Sequence, residues 1–260
     1  MSYEDLLLEK RDGIATVTFN VPEKMNALTL GLRRSLLRIG VDLANDDDVR
    51  VIIVTGAGRG FCSGADLASP GAERNRRRRL EYVGASHGSE AFFKMDKPVI
   101  AAVNGACVGA GFSLALSMDI RIASENARFS AVFVRRGLVP DCGISYWLPQ
   151  AVGMSKALEL MYTGEIIDAA EAGRIGLVSK VVPADELLSV ANELAAKIAA
   201  QPPISVELSK RMTYRGVADK VSQQIELETA AQSICSGSED NREAVRAFFE
   251  KRSPNRFVGR

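Results

Sequence analysis

The 260-residue sequence has almost no net charge, with 33 basic side chains against 32 acidic ones and a balance of +1. Without a global field of one sign, neither nucleic acid nor an anionic membrane is favoured as a partner, and an anionic ligand has to be held locally. A basic stripe interleaved with aromatics is also missing, which argues further against RNA. Cysteine is sparse: Cys62, Cys107, Cys142 and Cys235 stand far apart, with no CxxC pair for zinc or redox chemistry and no dense pattern for a disulfide scaffold. No uncharged apolar run approaches the ~20 residues that span a bilayer. The N-terminal stretch MSYEDLLLEKRDG lacks the basic and then apolar order of a secretory leader. A cytoplasmic chain is the expectation. Histidine occurs once, as His87 in GASHGSE, a stretch that reads as surface.

What is present is ordinary for a globular chain: 47% hydrophobic and 25% charged residues, enough for a sizeable core in one large or two modest domains. GIATVTFN (13–20) alternates as a strand does, and VIIVTG (51–56) and VIAAVNG (99–105) are short apolar runs closed by glycine, as in buried strands. From Thr29, a candidate N-cap, Leu32, Leu36, Ile39 and Leu43 recur at helical spacing. After residue 143 helical patterns dominate, broken by LVSKVVP (177–183), and from ADELLSVANELAAKIAA onward only helices are expected. Strands alternating with helices and followed by a helical tail predict an α/β core over residues 1–200 and a C-terminal α-helical extension over 201–260.

Two glycine clusters follow predicted strands. In GAGRGFCSGADL (56–67) the first two glycines of a dinucleotide fingerprint are present, but Phe61 occupies the third position, and no GK[ST] follows to make a phosphate loop. A glycine-rich turn after a buried strand accounts for the pattern. The second cluster, NGACVGAGFSLALSMD (104–119), repeats the arrangement ahead of a helix-like run. Two such loops can aim two backbone N–H groups at one oxygen and form an oxyanion hole, or they can serve close strand–helix packing alone.

Taken in order, KMNAL (24–28), GRGFCSGADL (58–67), KPVIAAVNGACVGAGFSLALSMDIRIAS (97–124), ARFS (127–130), GLVPDCG (137–143), TGEIIDAAEAGRIGLVSKVVP (163–183) and AFFEKR (247–252) resemble the crotonase superfamily, also called the enoyl-CoA hydratase/isomerase family. The resemblance implies a crotonase-type spiral of ββα units, an acyl-CoA thioester ligand with no metal or redox cofactor, and a homotrimer or dimer of trimers formed through the C-terminal helices. It also implies that the N–H groups of Ala65 and Ala110 grip the thioester oxygen, Ala110 standing where most members have glycine. Substrate contact is carried over to Lys24 and Ala27 at the nucleotide end of CoA. It is carried over as well to Ser63, Asp66 and Leu67 of the first loop and, further along, to Ser113 and Phe133.

The chain departs from the family where hydratases carry two glutamates, since those positions hold Ser113 and Phe133. Adding water to a conjugated double bond needs an activated water and a proton delivered to the α-carbon, work that two carboxylates share. Asp141, eight residues after Phe133, matches the proton carrier of the dienoyl-CoA isomerase and ring 1,2-epoxyphenylacetyl-CoA isomerase branches, the latter being locally the most similar in GLVPDCG and in the GAG of the second loop. Shifting a double bond from β,γ to α,β needs one base, and Phe133, Val139 and Trp147 are candidates to raise its pKa.

The expected activity is therefore enoyl-CoA isomerisation with Asp141 as base and Ala65 and Ala110 as oxyanion donors. Ring-epoxide isomerisation, hydration through Asp141 alone, and acyl-CoA binding without turnover are the alternatives. Asp141 can also cap a helix beginning near Cys142, and the two roles are compatible. Ser113 reads as a packed small residue with no activating base nearby. Arg76 to Arg79 form a solvated helix face or steer a CoA phosphate, Lys251 and Arg252 are candidates for the 3′-phosphate of a neighbouring subunit's CoA, and Leu80, Tyr82 and Val83 for the acyl pocket.

Overall fold

The computed structural model describes residues 3–66, 90–254 and 256–259. Leu67, Arg76 to Arg79, Leu80, Tyr82, Val83 and His87 lie outside the described residues.

Among the described residues the strands form two sheets. The first contains β1 (Leu6–Arg11), β2 (Ile14–Phe19), β3 (Val51–Gly56), β5 (Val99–Val103), β7 (Ile120–Ser124) and β10 (Lys180–Val182), in the order β1-β2-β3-β5-β7-β10. Its first pair is an antiparallel hairpin; the other neighbours are parallel. The hairpin closes through Asp12 and Gly13, at φ of 53° and 77°, the backbone that a two-residue turn between right-twisted strands requires. The second sheet is smaller, with β4 (Gly60–Cys62), β6 (Ala106–Val108), β8 (Arg128–Ser130) and β9 (Ile167–Asp168) in that order. Each long strand runs on into a short one, β3 into β4, β5 into β6 and β7 into β8. These repeated strand–strand units, with helices returning the chain, make the expected spiral.

The strand sequences explain the two cores. In β3, Ile52 and Val54 face the main core while Val51 and Ile53 face a second one, and β5 divides Val99, Ala101 and Val103 from Ile100 and Ala102 in the same way. A strand buried on both faces reads as a continuous apolar run, as these do. The main core is closed by α1 (Leu30–Ala44), where Thr29 Oγ1 accepts the Leu32 N–H and Leu32, Leu36, Ile39 and Leu43 are buried, as their spacing predicts. The second core is covered by Leu187, Ala191 and Ala195 of a later helix, α7 (Leu187–Ala199).

Between these lie α2 (Glu90–Phe93), α3 (Ala110–Leu116), α4 (Ile144–Val152), α5 (Met154–Thr163) and α6 (Ala169–Arg174). After α7 the chain is helical, with α8 (Pro203–Tyr214), α9 (Ala218–Ser236) and α10 (Glu239–Phe249). Residues 200 and 201 lie in the break between α7 and α8, and Pro203 takes the first turn of α8. None of the described helices is long and apolar enough to cross a membrane.

One buried cation fastens α8 to the sheet. Lys210 Nζ donates to the carbonyls of Phe92 at 2.8 Å and Lys97 at 2.9 Å and pairs with Asp119 Oδ2 at 2.9 Å. Burial holds its pKa below the ordinary lysine value, with Asp119 pulling the other way. Removing one partner of such a pair strands the other charge away from water. Lys210→Ala is expected to cost about 3–5 kcal/mol in urea denaturation. Arg211→Ala, which breaks an exposed pair with Asp96, should cost less than about 1 kcal/mol. Equal small losses would overturn the anchoring role.

Candidate active site

The site begins where two glycine turns touch. In the first, after β4, Gly64 has φ of 92°, and a Cβ there would stand 2.9 Å from the Val108 carbonyl oxygen and 3.4 Å from the Ala110 nitrogen. Only glycine permits both the backbone angle and the approach. Leu28 N–H donates to Gly64 O at 2.7 Å and Ser63 N–H to Met25 O at 3.0 Å, so the KMNAL segment supports this turn from behind. Asn26 is the knot of that support. Fully buried at φ of 55°, it accepts the Val21 N–H at 2.9 Å and donates to the carbonyls of Ala57 at 2.9 Å and Gly60 at 2.7 Å. Asn26 lies inside KMNAL, but nothing local in that segment signals the carbonyls it reaches 31 and 34 residues on.

The second turn leaves β6 at Gly109, whose φ of 56° and ψ of −128° suit glycine alone, and enters α3 at Ala110. A Cβ on Gly111 would lie 2.3 Å from the Cys62 carbonyl oxygen, so α3 packs directly on β4. Ala110 itself is outside the positive-φ residues, and its methyl group is tolerated. Among the described residues, neither the Ala65 nor the Ala110 N–H donates to a protein acceptor. Both residues line one cavity of about 470 Å³.

Asp141 enters the same cavity from the loop between the 3-10 turn Val132–Arg136 and α4. Its Oδ2 accepts from Gln232 Nε2 at 2.9 Å, while Oδ1, closed to solvent, has no hydrogen-bond partner among the described residues. The residue keeps some exposed surface, but the carboxyl end is enclosed. Burial raises its pKa above the ordinary aspartate value, opposed by the Cys142 thiol, the Gln232 amide and the charge of Arg33. Asp141 is not a helix cap. The N-cap of α4 is Gly143 without a side-chain cap, and Glu228 of α9 takes the Gly143 N–H at 2.7 Å and the Ser145 N–H at 3.1 Å.

Of the residues expected at the site, Lys24, Ala27, Ser63, Ala65, Asp66, Ala110, Phe133 and Asp141 share the cavity wall. Lys24 and Asp66 form an ion pair at 2.9 Å, so Asp66 fixes the first loop to KMNAL. Ser113 is the exception: fully buried, it is absent from the wall and its Oγ donates to the Asp141 carbonyl at 2.8 Å. The position that resemblance linked to substrate holds the backbone of the acid instead. Trp147 stands behind Gly143 in a cluster with Phe93, Tyr146 and Tyr214, away from the wall, and Phe133 with Leu138 supplies apolar surface beside Asp141. Lys251 and Arg252 line a neighbouring cavity of about 550 Å³ with Arg135 and Arg136, where Arg252 is bound to Glu243 and Glu250 at 2.6 Å each.

The wall also contains Arg136, Gln232, Phe248 and Phe249, none of them among the site residues expected from the sequence. AFFEKR marked the two phenylalanines as a motif, but nothing local to Gln232 signals that it reaches back across 91 residues to Asp141. The Arg136 guanidinium lies 4.0 Å from the Phe248 ring centre and joins the two ends of this wall. A larger cleft of about 910 Å³, around Glu9, Asp47, Arg50 and Asn192, contains none of these loops and mixes acids with bases, so it is not the candidate site. Cys62 and Cys107 are no nucleophiles, since burial raises both thiols, Cys62 to about 12.

Residues 9–258 match the family described as enoyl-CoA hydratase/isomerase. The chain is 39% identical over 264 residues to a short-chain-enoyl-CoA hydratase of Clostridium acetobutylicum, covering 100% of both chains. It is 35% identical over 265 residues to a 1,2-epoxyphenylacetyl-CoA isomerase of Escherichia coli, covering 99% of each. A crystal structure of an enoyl-CoA hydratase from Mycobacterium avium subsp. paratuberculosis superimposes with a TM-score of 0.89 at 31% identity, over 99% of this chain and 100% of that one. With the two glycine turns, the acid that shares their cavity and the spiral that carries both, the chain belongs to the enoyl-CoA hydratase/isomerase family.

Proposed function

We propose that the protein is an acyl-CoA isomerase that moves a β,γ double bond of an enoyl-CoA thioester to the α,β position. The observation that carries this reading is the Asp141 carboxyl, an enclosed acid in the cavity wall with Oδ1 unpartnered among the described residues. The other carboxylate of that described wall, Asp66, is paired with Lys24 and supports the loop. A single carboxylate with one oxygen left without a partner among the described residues fits a reaction in which one group carries one proton between two carbons.

In the proposed sequence Asp141 takes the proton from C2, and the C–H electrons enter the thioester as an enolate. The N–H groups of Ala65 and Ala110 hold the oxygen that gains this charge, the kind of preorganised donor pair that stabilises such an intermediate. Electrons return through C2=C3, and Asp141 delivers its proton to C4. No electrons leave the substrate and the proton is conserved, so the chemistry as written uses no metal or redox cofactor. Lys24 and Ala27 lie towards the CoA moiety, and the apolar wall of Phe133, Leu138, Phe248 and Phe249 receives the acyl chain.

The name of the Clostridium relative favours hydration through Asp141 as the second reading, and that of the Escherichia relative favours a ring-epoxide substrate. We also propose self-association as a trimer or dimer of trimers, for which Ile204, Leu208 and Met212, spaced four apart and exposed on α8, offer an apolar stripe.

With a β,γ-enoyl-CoA as substrate and products resolved by chromatography, Asp141→Asn is expected to lower the isomerisation rate by about a hundredfold or more. Unchanged rates would remove Asp141 from the mechanism, and 3-hydroxyacyl-CoA as the main product would favour hydration. The base acts in its ionised form and its pKa is raised, so kcat should fall as pH drops through a value above the ordinary 3.8. An acid limb at or below that value in the pH–rate profile would contradict the buried carboxyl as base. Sedimentation equilibrium is expected to give three or six copies of the 28.0 kDa chain, and a monomer would exclude the assembly.

A further inference from the structure

We propose that Gln232 is a positioning residue for the Asp141 carboxyl: by holding Oδ2 it leaves Oδ1 as the one oxygen free to exchange a proton. The inference deepens, and rests on, the reading of Asp141 as the base.

The direction of the Gln232 amide is fixed by its second contact. Val139 N–H can only donate, and it lies 3.0 Å from Gln232 Oε1. The amide oxygen therefore faces Val139, and Nε2 necessarily turns to Asp141 Oδ2, at 2.9 Å. One side chain thus grips the loop at its backbone and at its acid. One turn earlier on α9, Glu228 takes the N–H groups of Gly143 and Ser145, and Ser113 on α3 holds the Asp141 carbonyl from the opposite side. The loop needs such holding, because Cys142, which has a side chain, stands at φ of 59° in the left-handed region.

A hydrogen bond donated to a carboxylate favours its charged form. Gln232 is therefore placed to limit how far burial raises the acid while also orienting it. The other charged or titratable groups acting on Asp141 are Arg33 from α1 and Cys142 in its own loop, which Glu228 from α9 joins as a second carboxylate. Arg136, Lys24 and Asp66 are the other charged groups of the cavity wall. None of these hydrogen-bonds both the backbone and the carboxyl of the loop.

The test uses the full chain with Gln232→Met, which keeps length and removes both hydrogen bonds, and Gln232→Glu, which keeps the acceptor for Val139 but turns an oxygen towards Oδ2. Each is assayed with a β,γ-enoyl-CoA across pH. In parallel, infrared titration follows the carboxyl band assigned by its loss in Asp141→Asn. Gln232→Met is expected to lower kcat by roughly tenfold with KM within about twofold, and to move both the acid limb and the carboxyl titration up by about one pH unit. Gln232→Glu should move them further, because like charges resist joint ionisation. Titration and limb unmoved in both variants would overturn the proposal. So would kcat and KM changing only in step with a lowered melting temperature, the mark of a purely structural contact. If Asp141→Asn keeps the wild-type rate, the base reading fails, and the infrared titration still decides whether Gln232 holds the carboxyl.

Discussion

The approach of Gly64 to the Val108–Ala110 turn is the constraint on which the remaining geometry depends. A side chain at Gly64 would meet the Val108 carbonyl at 2.9 Å, and one at Gly111 the Cys62 carbonyl at 2.3 Å, so β4 and α3 share a surface with no room for a methyl group. That closeness brings Ala65 and Ala110 to the wall of one cavity. Much of the surrounding order serves it. Asn26 ties the segment before α1 to the carbonyls that follow β3, and Asn104 donates from the other side to Gly58 and Gly60 at 3.0 and 3.2 Å. Backbone carbonyls with such partners hold a turn in place where apolar packing alone leaves it free to shift.

The acid that shares this cavity is held by the opposite means. Its loop contains two consecutive left-handed residues and an enclosed carboxyl, both unfavourable in isolation. The compensation comes from α9, which is itself tied down by contacts such as the Gln224 amide on Ser145 Oγ at 2.8 Å. Helices at the end of the chain thus stabilise a loop near its middle, and the loop in turn sets the wall of the cavity. Phe248 and Phe249 from α10 extend that dependence to the apolar surface. The C-terminal extension is therefore part of the site as well as a candidate surface for assembly.

Several of these features were legible in the sequence for identifiable reasons. The glycines of SGAD and GAGF stand out because backbone approach leaves no substitute, and the apolar runs of β3 and β5 stand out because both faces are buried. Thr29 was recognisable as a cap from its place before a helical repeat. Asp141 was legible as an acid in an apolar loop, but its capping reading failed. Ahead of α4 the N–H groups had already been taken by Glu228, 85 residues away from Gly143. Ser113 was read as a packed residue, which it is, yet its bond to the Asp141 carbonyl crosses 28 residues and has no local signature.

The sequence by itself determined the alternation of the long strands with helices, the helical tail, the glycine turns at the site, and the presence of one acid, Asp141, in an otherwise apolar loop. These follow from periodicity, backbone sterics and residue identity, all of which are local. Tertiary structure alone decided which oxygen of Asp141 is held and which is left, because Gln232 reaches it from a helix 91 residues on. It also decided that Asp66 belongs to an ion pair and that Trp147 stays outside the cavity wall. The physical reason is the same in each case: a carboxyl or a ring acquires its role from the donors and surfaces packed against it, and these come from chain segments whose separation no local pattern encodes.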